Sequence, residues 1–196
     1  MGMLEYFGVV TGLLYLFFEI KQRRAMWVVG ILSSLVYVYV FFVSKVYATM
    51  GLNLYNVLIS LYGLRQWSLR RKLPDGEPAS GTVLYRHLTW RLTGIILFAL
   101  ALIDVFIYYI LSRTDSPVPA VDAIITTIGI VATWMLARRI IEHWICWIVA
   151  DALSVYMYYT LALYPTMCLY VCYTLLAFAG YRIWKKKGTE TDAIAL

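Results

Sequence analysis

A chain of 196 residues that is 62% apolar or aromatic and only 14% charged, with a mean hydropathy of +0.74, is not a soluble globular domain, in which apolar residues make up about half and charged ones about a quarter. Its 12 Gly, 5 Pro and 3 Cys also exclude a collagen-like chain and a disulfide scaffold. The formal charge of +6 would hint at nucleic acid in a soluble protein, but the basic residues here are placed to a different purpose and no nucleic-acid partner is expected. The composition is that of an integral membrane protein.

A bilayer core about 30 Å thick takes roughly 20 apolar residues of helix to cross. In chain order, segments of that kind are predicted at 4–20, 26–43, 47–67, 92–112, 118–137, 143–162 and 164–184. The first has no basic n-region and no small-residue cleavage site, so it reads as a retained span and not a signal peptide. Residues 68–91, with Pro74-Asp75-Gly76-Glu77-Pro78 and Ser80-Gly81, form a polar linker between spans three and four. A tight turn at Leu163-Tyr164-Pro165 separates spans six and seven, and the tail from Gly188 onward is expected to fray. Ten-residue alternating strands, the mark of a membrane barrel, are absent from the sequence.

Basic residues set the direction. Lys21, Arg23 and Arg24 lie between spans one and two; Arg65, Arg70, Arg71, Lys72, Arg86 and Arg91 surround the linker; Arg138 and Arg139 lie between spans five and six. Arg182, Lys185, Lys186 and Lys187 follow span seven, so fifteen cations share one side against only Lys45 and Arg113 on the other. The positive-inside bias then puts the N-terminus outside and the C-terminus in the cytoplasm of a multi-pass protein.

The two ends of the chain match without gaps at an offset of 117 residues. Tyr47, Thr49, Met50, Leu52, Leu58, Gly63, Arg65 and Trp67 meet Tyr164, Thr166, Met167, Leu169, Leu175, Gly180, Arg182 and Trp184; upstream, Gly12, Trp27 and Tyr39 meet Gly129, Trp144 and Tyr156. Biased composition produces chance Leu and Val matches, but not Trp, Gly and Tyr pairs at one fixed spacing. The expected fold is therefore an all-α membrane protein of seven transmembrane helices in a 3+1+3 parallel duplicated bundle, SWEET-like. Its parts are a first repeat at 1–70, a cytoplasmic linker with linking helix four at 71–117, a second repeat at 118–187 and a cytoplasmic tail at 188–196. Parallel repeats of this kind are related by an axis along the membrane normal and hold their ligand near the midplane.

Polar side chains on helical stripes mark where such a ligand would sit. Span six carries Trp144, Trp147, Asp151, Ser154 and Tyr158 at steps of three and four, hence on one face. Its repeat partner, span two, carries Trp27, Gly30, Ser34, Tyr37 and Phe41; span three carries Asn53, Asn56, Ser60, Gly63 and Trp67; span seven carries Tyr170, Tyr173, Ala177, Gly180 and Trp184. Lipid satisfies neither an amide nor a carboxylate, so these groups should face the bundle interior or a wet cavity. The small residues on the stripes suit close helix packing, and lone amides often serve as interhelical glue worth about 1 kcal/mol. Asp151, sharing its face with two indoles, is the candidate for ligand contact, whereas Asp104 on the unpaired helix suits a structural or a proton-linked role.

The remaining polar and aromatic residues take ordinary positions. Glu5, Glu19 and Asp122 fall near span ends, His87 and His143 in or beside cytoplasmic loops, and Trp67, Trp90 and Trp184 where an aromatic belt is expected. Cys146, Cys168 and Cys172 lie in apolar segments without CxxC spacing and read as inert hydrophobes. No HExxH, P-loop, GxSxG or metal-spaced Cys/His set occurs, so neither catalysis, a bound metal nor a cofactor is expected.

Three segments resemble one family. Tyr47-Ala48-Thr49-Met50-Gly51-Leu52-Asn53-Leu54-Tyr55-Asn56, continuing to Leu61-Tyr62-Gly63-Leu64-Arg65-Gln66-Trp67, is similar to the third helix of the PnuC family of vitamin transporters. Trp144-Ile145-Cys146-Trp147-Ile148-Val149-Ala150-Asp151 resembles that family's WxxW helix, and Gly180-Tyr181-Arg182-Ile183-Trp184 the end of its seventh. The resemblance spans nearly the whole chain, least in the linker. It implies a bacterial inner-membrane facilitator for small vitamins, chiefly nicotinamide riboside, with sister groups that carry thiamine or riboflavin. It also implies energy-independent uptake made directional by a cytosolic vitamin kinase. By carry-over, Trp144 and Trp147 would stack on the aromatic ring and Asn53 and Asn56 would bind the polar part; Ser34, Tyr37, Tyr170 and Tyr173, read from the stripes alone, complete the candidate site. A cationic ring gains roughly 0.5–2 kcal/mol over a Trp face, and Asp151 adds to this for nicotinamide riboside or thiamine but not for neutral riboflavin. The competing readings are a SWEET-type sugar carrier, disfavoured by the aromatic excess on the stripes, and a non-transporting assembly or receptor subunit. The many aromatics on the outer faces are compatible with a homo-oligomer in the bilayer.

Overall fold

The structure, a computed structural model, describes residues 3–43, 47–68, 85–114 and 117–194. Among the described residues seven α-helices follow one another: α1 (Met3–Ile20), α2 (Ala25–Val43), α3 (Tyr47–Ser68), α4 (Trp90–Leu111), α5 (Pro119–Ala137), α6 (His143–Thr160) and α7 (Tyr164–Ile194). The first six lie within about two residues of the expected spans. The central linker, including Pro74 to Pro78, lies outside the described residues, as does Lys45 between α2 and α3.

Only α7 departs from expectation. It does not fray at Gly188 but continues to Ile194, 31 residues in all, because Lys185–Lys187 and the Glu190 that follows are good helix formers on either side of a single glycine. Before it, Ala162 takes the left-handed conformation (φ 55°) that ends α6, and Pro165 falls in the first turn of α7, where its missing N–H costs no helical hydrogen bond.

Hydropathy alone marks Trp90–Leu111, Pro119–Ala137 and Thr166–Lys187 as long and apolar enough to cross a membrane, with shorter apolar stretches at Val10–Ile20 and Ala25–Val40. The helices that carry the amides and the carboxylate of the polar stripes, α3 and α6, are not among them. The α4 helix exposes Phe98, Val105 and Phe106, a face fit for lipid and not for water.

The chain forms two compact units, Met1–Thr82 and Val83–Leu196. In the first, α2 packs on both α1 and α3; in the second, α4, α5, α6 and α7 pack each on the next. The first unit thus holds α1–α3 and the second α4–α7, and the triplets α1–α3 and α5–α7 repeat one another in detail.

Their first turns are the same. At the end of α1, Gln22 is left-handed (φ 57°), and 117 residues later Arg139 is left-handed at the end of α5 (φ 61°). In both, the left-handed residue donates its N–H to the residue three back, Gln22 to Glu19 at 2.9 Å and Arg139 to Leu136 at 2.9 Å. The next N–H reaches five back, Arg23 to Phe18 at 2.8 Å and Ile140 to Met135 at 3.0 Å. This is the Schellman closure of a helix, built in both triplets, and again at Ala162 after α6, without the glycine that usually serves it.

Their packing is also the same. A Cβ on Gly63 would lie 2.5 Å from the Trp27 indole, and one on Gly180 would lie 2.5 Å from the Trp144 indole. In each unit the indole of the second helix of the triplet therefore lies flat against bare backbone of the third, a fit that only glycine permits. A second indole closes the arrangement edge-on: Trp67 on Trp27 with centroids 6.0 Å apart, and Trp184 on Trp144 with centroids 5.8 Å apart. Trp67 and Trp184 are thus core residues at 2% and 0% exposure, not members of an aromatic belt. Trp90, at 80% exposure, has the exposure of a belt residue.

Candidate substrate-binding site

In the second unit the α6 stripe runs from a closed end to a polar middle. Trp144, one residue into the helix, is fully enclosed by Gly180, Trp184 and the ring of His143, whose centroid is 4.8 Å away. Trp147, one turn on, is half-buried and lies against Gly129 of α5, where a Cβ would stand 3.7 Å from the indole. Asp151 is 8% exposed and, at 1.5 Å rise per residue, about 12 Å from the start of the helix.

Aromatic rings of α7 surround the far half of this stripe. Tyr170 stacks on Tyr158 of α6, with centroids 5.1 Å apart and 30° between planes, and meets Tyr173 edge-on at 5.7 Å. Asp151 is near enough for its charge to act on the Tyr170 and Tyr173 phenols. Of the nine residues expected to bind substrate, the structure thus places five in the second unit, with Trp144, Asp151, Tyr170 and Tyr173 along the α6–α7 seam and Trp147 on α6 against α5. Tyr158, on the expected stripe but outside the expected site, belongs with them. The other four belong to the first unit: Ser34 and Tyr37 on α2, Asn53 and Asn56 on α3, with Ser34 buried and the rest half-buried.

The repeat separates architecture from site. The indole N–H groups of Trp27 and Trp144 are both buried without a hydrogen-bond partner, so in Trp144 that feature comes with the lock and is no mark of a ligand. Trp147 also holds a buried, unpartnered N–H, yet its counterpart 117 residues earlier is Gly30, so nothing in the shared architecture calls for it. Asp151 likewise stands where the first unit has Ser34, at the same 8% exposure. Tyr170 and Tyr173 stand where it has Asn53 and Asn56. The substituted positions are those with room for chemistry.

Several polar residues lie elsewhere than expected. His143 is neither solvated nor interfacial; it is wholly buried against Trp144 and Trp184. Its Nδ1 is 2.7 Å from the Ile140 carbonyl, and because a carbonyl only accepts, that nitrogen carries the proton. His87 is not alone but sits 2.9 Å from Glu142. Glu19 is buried, not interfacial, and the repeat shows why: its counterpart is Leu136, wholly buried on the same face of α5. No spacing rule would have paired His87 with Glu142, 55 residues away, although an acid directly before the start of α6 is a weak signal of a helix-terminal role.

Comparison with known proteins follows this geometry. The family model described as nicotinamide mononucleotide transporter matches residues 2–186. The chain is 21% identical to the nicotinamide riboside transporter PnuC of Escherichia coli K12, over 98% of this chain and 89% of that one. With PnuC of Neisseria mucosa it shares 28%, over 91% and 70%. It is also 28% identical to the riboflavin/roseoflavin transporter RibM of Streptomyces davaonensis, over 90% and 82%. Among solved structures, the crystal structure of the vitamin B3 transporter PnuC matches with a TM-score of 0.70 and 26% identity, covering 93% of this chain and 80% of that one. With seven helices in the expected order, a duplicated Trp–Gly–Trp lock and a match along nearly its entire length, the chain belongs to the nicotinamide mononucleotide transporter family, the PnuC-type membrane vitamin transporters.

Proposed function

We propose that the chain is a facilitated-diffusion carrier for nicotinamide riboside in the bacterial inner membrane, with the basic helix ends facing the cytosol and a cytosolic kinase trapping the product. One observation carries the choice of vitamin. Asp151 is buried at 8% exposure on the face of α6 that also holds Trp147. A permanently cationic pyridinium offers charge attraction to that carboxylate and, over the Trp147 face, cation–π attraction of roughly 0.5–2 kcal/mol. Neutral flavin offers neither, although the name of one relative specifies riboflavin and roseoflavin. In this reading Trp147 presents the stacking face, Trp144 holds α6 in place behind it, and Tyr170 and Tyr173 stand beside the carboxylate.

Thiamine, also a cationic heteroaromatic, is the second reading, since Asp151 serves either ring. Purified protein in liposomes enclosing a vitamin kinase is expected to accumulate labelled nicotinamide riboside saturably without an ion gradient. Competition by unlabelled nicotinamide riboside, thiamine, riboflavin and glucose ranks the candidates in one experiment. Saturable uptake blocked best by riboflavin or glucose would overturn the cationic-ring reading, and no saturable uptake of any of the four would favour a non-transporting subunit.

A further inference from the structure

The segment leading into α4 does not float free of the helices. Arg86 donates its N–H to the Arg139 carbonyl at 3.0 Å and accepts from the Ile141 N–H at 3.0 Å, a single parallel β-bridge laid across the α5–α6 turn. The Glu142 carboxylate reaches back to the same segment with both oxygens, one 2.9 Å from His87 Nδ1 and the other accepting from the Leu88 N–H at 3.2 Å. Tyr85 lies edge-on to Trp184 of α7, centroids 5.5 Å apart. Residues 85–88 thus touch the end of α5, the start of α6 and Trp184 of α7, and the next residue, Thr89, caps α4. The equivalent turn of the first unit, at Gln22–Arg24, has the same backbone hydrogen bonds but, among the described residues, no strand laid across it.

We propose that residues 85–88 are a clasp that makes the basic end of the second unit one rigid body, and that Glu142 is the residue that holds it shut. The α6 helix carries Trp147 and Asp151, and its start follows Glu142 directly. A carrier that works by moving one repeat against the other needs each repeat to move as a unit; a loose α6 would spend motion within the repeat that should open and close the site. The clasp therefore sets the rate of the conformational step and leaves ligand affinity alone, because its hydrogen bonds end at Glu142, nine residues before Asp151. This inference rests on the carrier reading above only for its transport readout.

The test uses the full chain in proteoliposomes with Glu142→Ala, Arg86→Pro and Glu142→Gln. Hydrogen exchange at the Arg86, Leu88 and Ile141 amides is expected to be slow in the parent and at least about tenfold faster in Glu142→Ala. Arg86→Pro, which removes one bridge donor, should speed exchange at Ile141. Glu142→Gln, which keeps an acceptor for the Leu88 N–H, should restore most of the protection. Maximal uptake per folded molecule should fall about threefold or more in the first two variants, with vitamin binding within about twofold of the parent, the split expected of a conformational step. Unprotected amides in the parent would overturn the clasp itself, and this holds even if a variant fails to fold. Faster exchange with unchanged uptake, or uptake and binding lost together, would overturn its role in the conformational step. Absence of uptake in the parent, with protected amides, would instead sink the carrier reading and leave the clasp standing.

Discussion

The two triplets share a skeleton and differ in what they hang on it. Both close their first turn with a left-handed residue that is not glycine, Gln22 and Arg139, and both seat an indole on a bare glycine, Trp27 on Gly63 and Trp144 on Gly180. Between these fixed points the first half carries Gly30, Ser34, Asn53 and Asn56 where the second carries Trp147, Asp151, Tyr170 and Tyr173. The positions that hold helices together within each triplet are the same, while the stripe positions are small and hydrogen-bonding in the first triplet and aromatic or acidic in the second.

The strongest way to break this comparison is to remove the lock from each half in turn. Trp27→Ala and Trp144→Ala should each cost about 3–5 kcal/mol, as deletion of a buried aromatic does, read as comparable drops in thermal midpoint in detergent. If only one of them destabilises the protein, the halves are not equivalent architecture. Next come Gly63→Ala and Gly180→Ala, whose new methyl would stand 2.5 Å from the rigid indole; overpacking of this kind costs about 1–3 kcal/mol. Gly51→Ala, with open space around it, is the control and should be neutral or slightly stabilising.

Smaller effects sharpen the difference in lining. Asp151→Asn should weaken binding of a cationic vitamin about tenfold, equivalent to about 1.4 kcal/mol, with folding intact, while Ser34→Ala at the equivalent position should change it less than threefold. Uptake by Asp151→Asn equal to that of the parent would remove the charge contact from the mechanism. The smallest effect concerns the turns. Gln22→Gly should stabilise the first half by up to about 1 kcal/mol, by relieving the left-handed strain of a residue with a Cβ. Arg139→Gly should gain less, because that residue also carries one of the basic charges and makes further contacts in the fold.

Much of the fold was legible beforehand because its signals are local or additive. Helix boundaries follow from runs of apolar residues and from charge at their ends, so the spans fell within about two residues of the helices, the extension of α7 excepted. The duplication was visible as a fixed spacing of Trp, Gly and Tyr. What that spacing could not tell is why these residues persisted: Trp67 and Trp184 sit at span ends, where a lipid-interface role is the usual explanation, and only the close approach of two helices at Gly63 and Gly180 turns them into core. The site was half legible. Stripe periodicity placed Asp151 with Trp147, but it gave Trp144 the same standing, and only burial separates the indole that is locked from the one that has room beside it.

By itself the amino-acid sequence determined where the helices run, which of their ends are basic, and that one three-helix pattern occurs twice, since hydropathy, charge bias and repetition are sums over neighbours along the chain. Tertiary structure alone decided which of the repeated residues are scaffold, that His143 is buried, and that His87 and Glu142 meet across 55 positions. Those facts depend on distances between helices, and distances between helices are set by the shapes of side chains far apart in the chain, which no count along it contains.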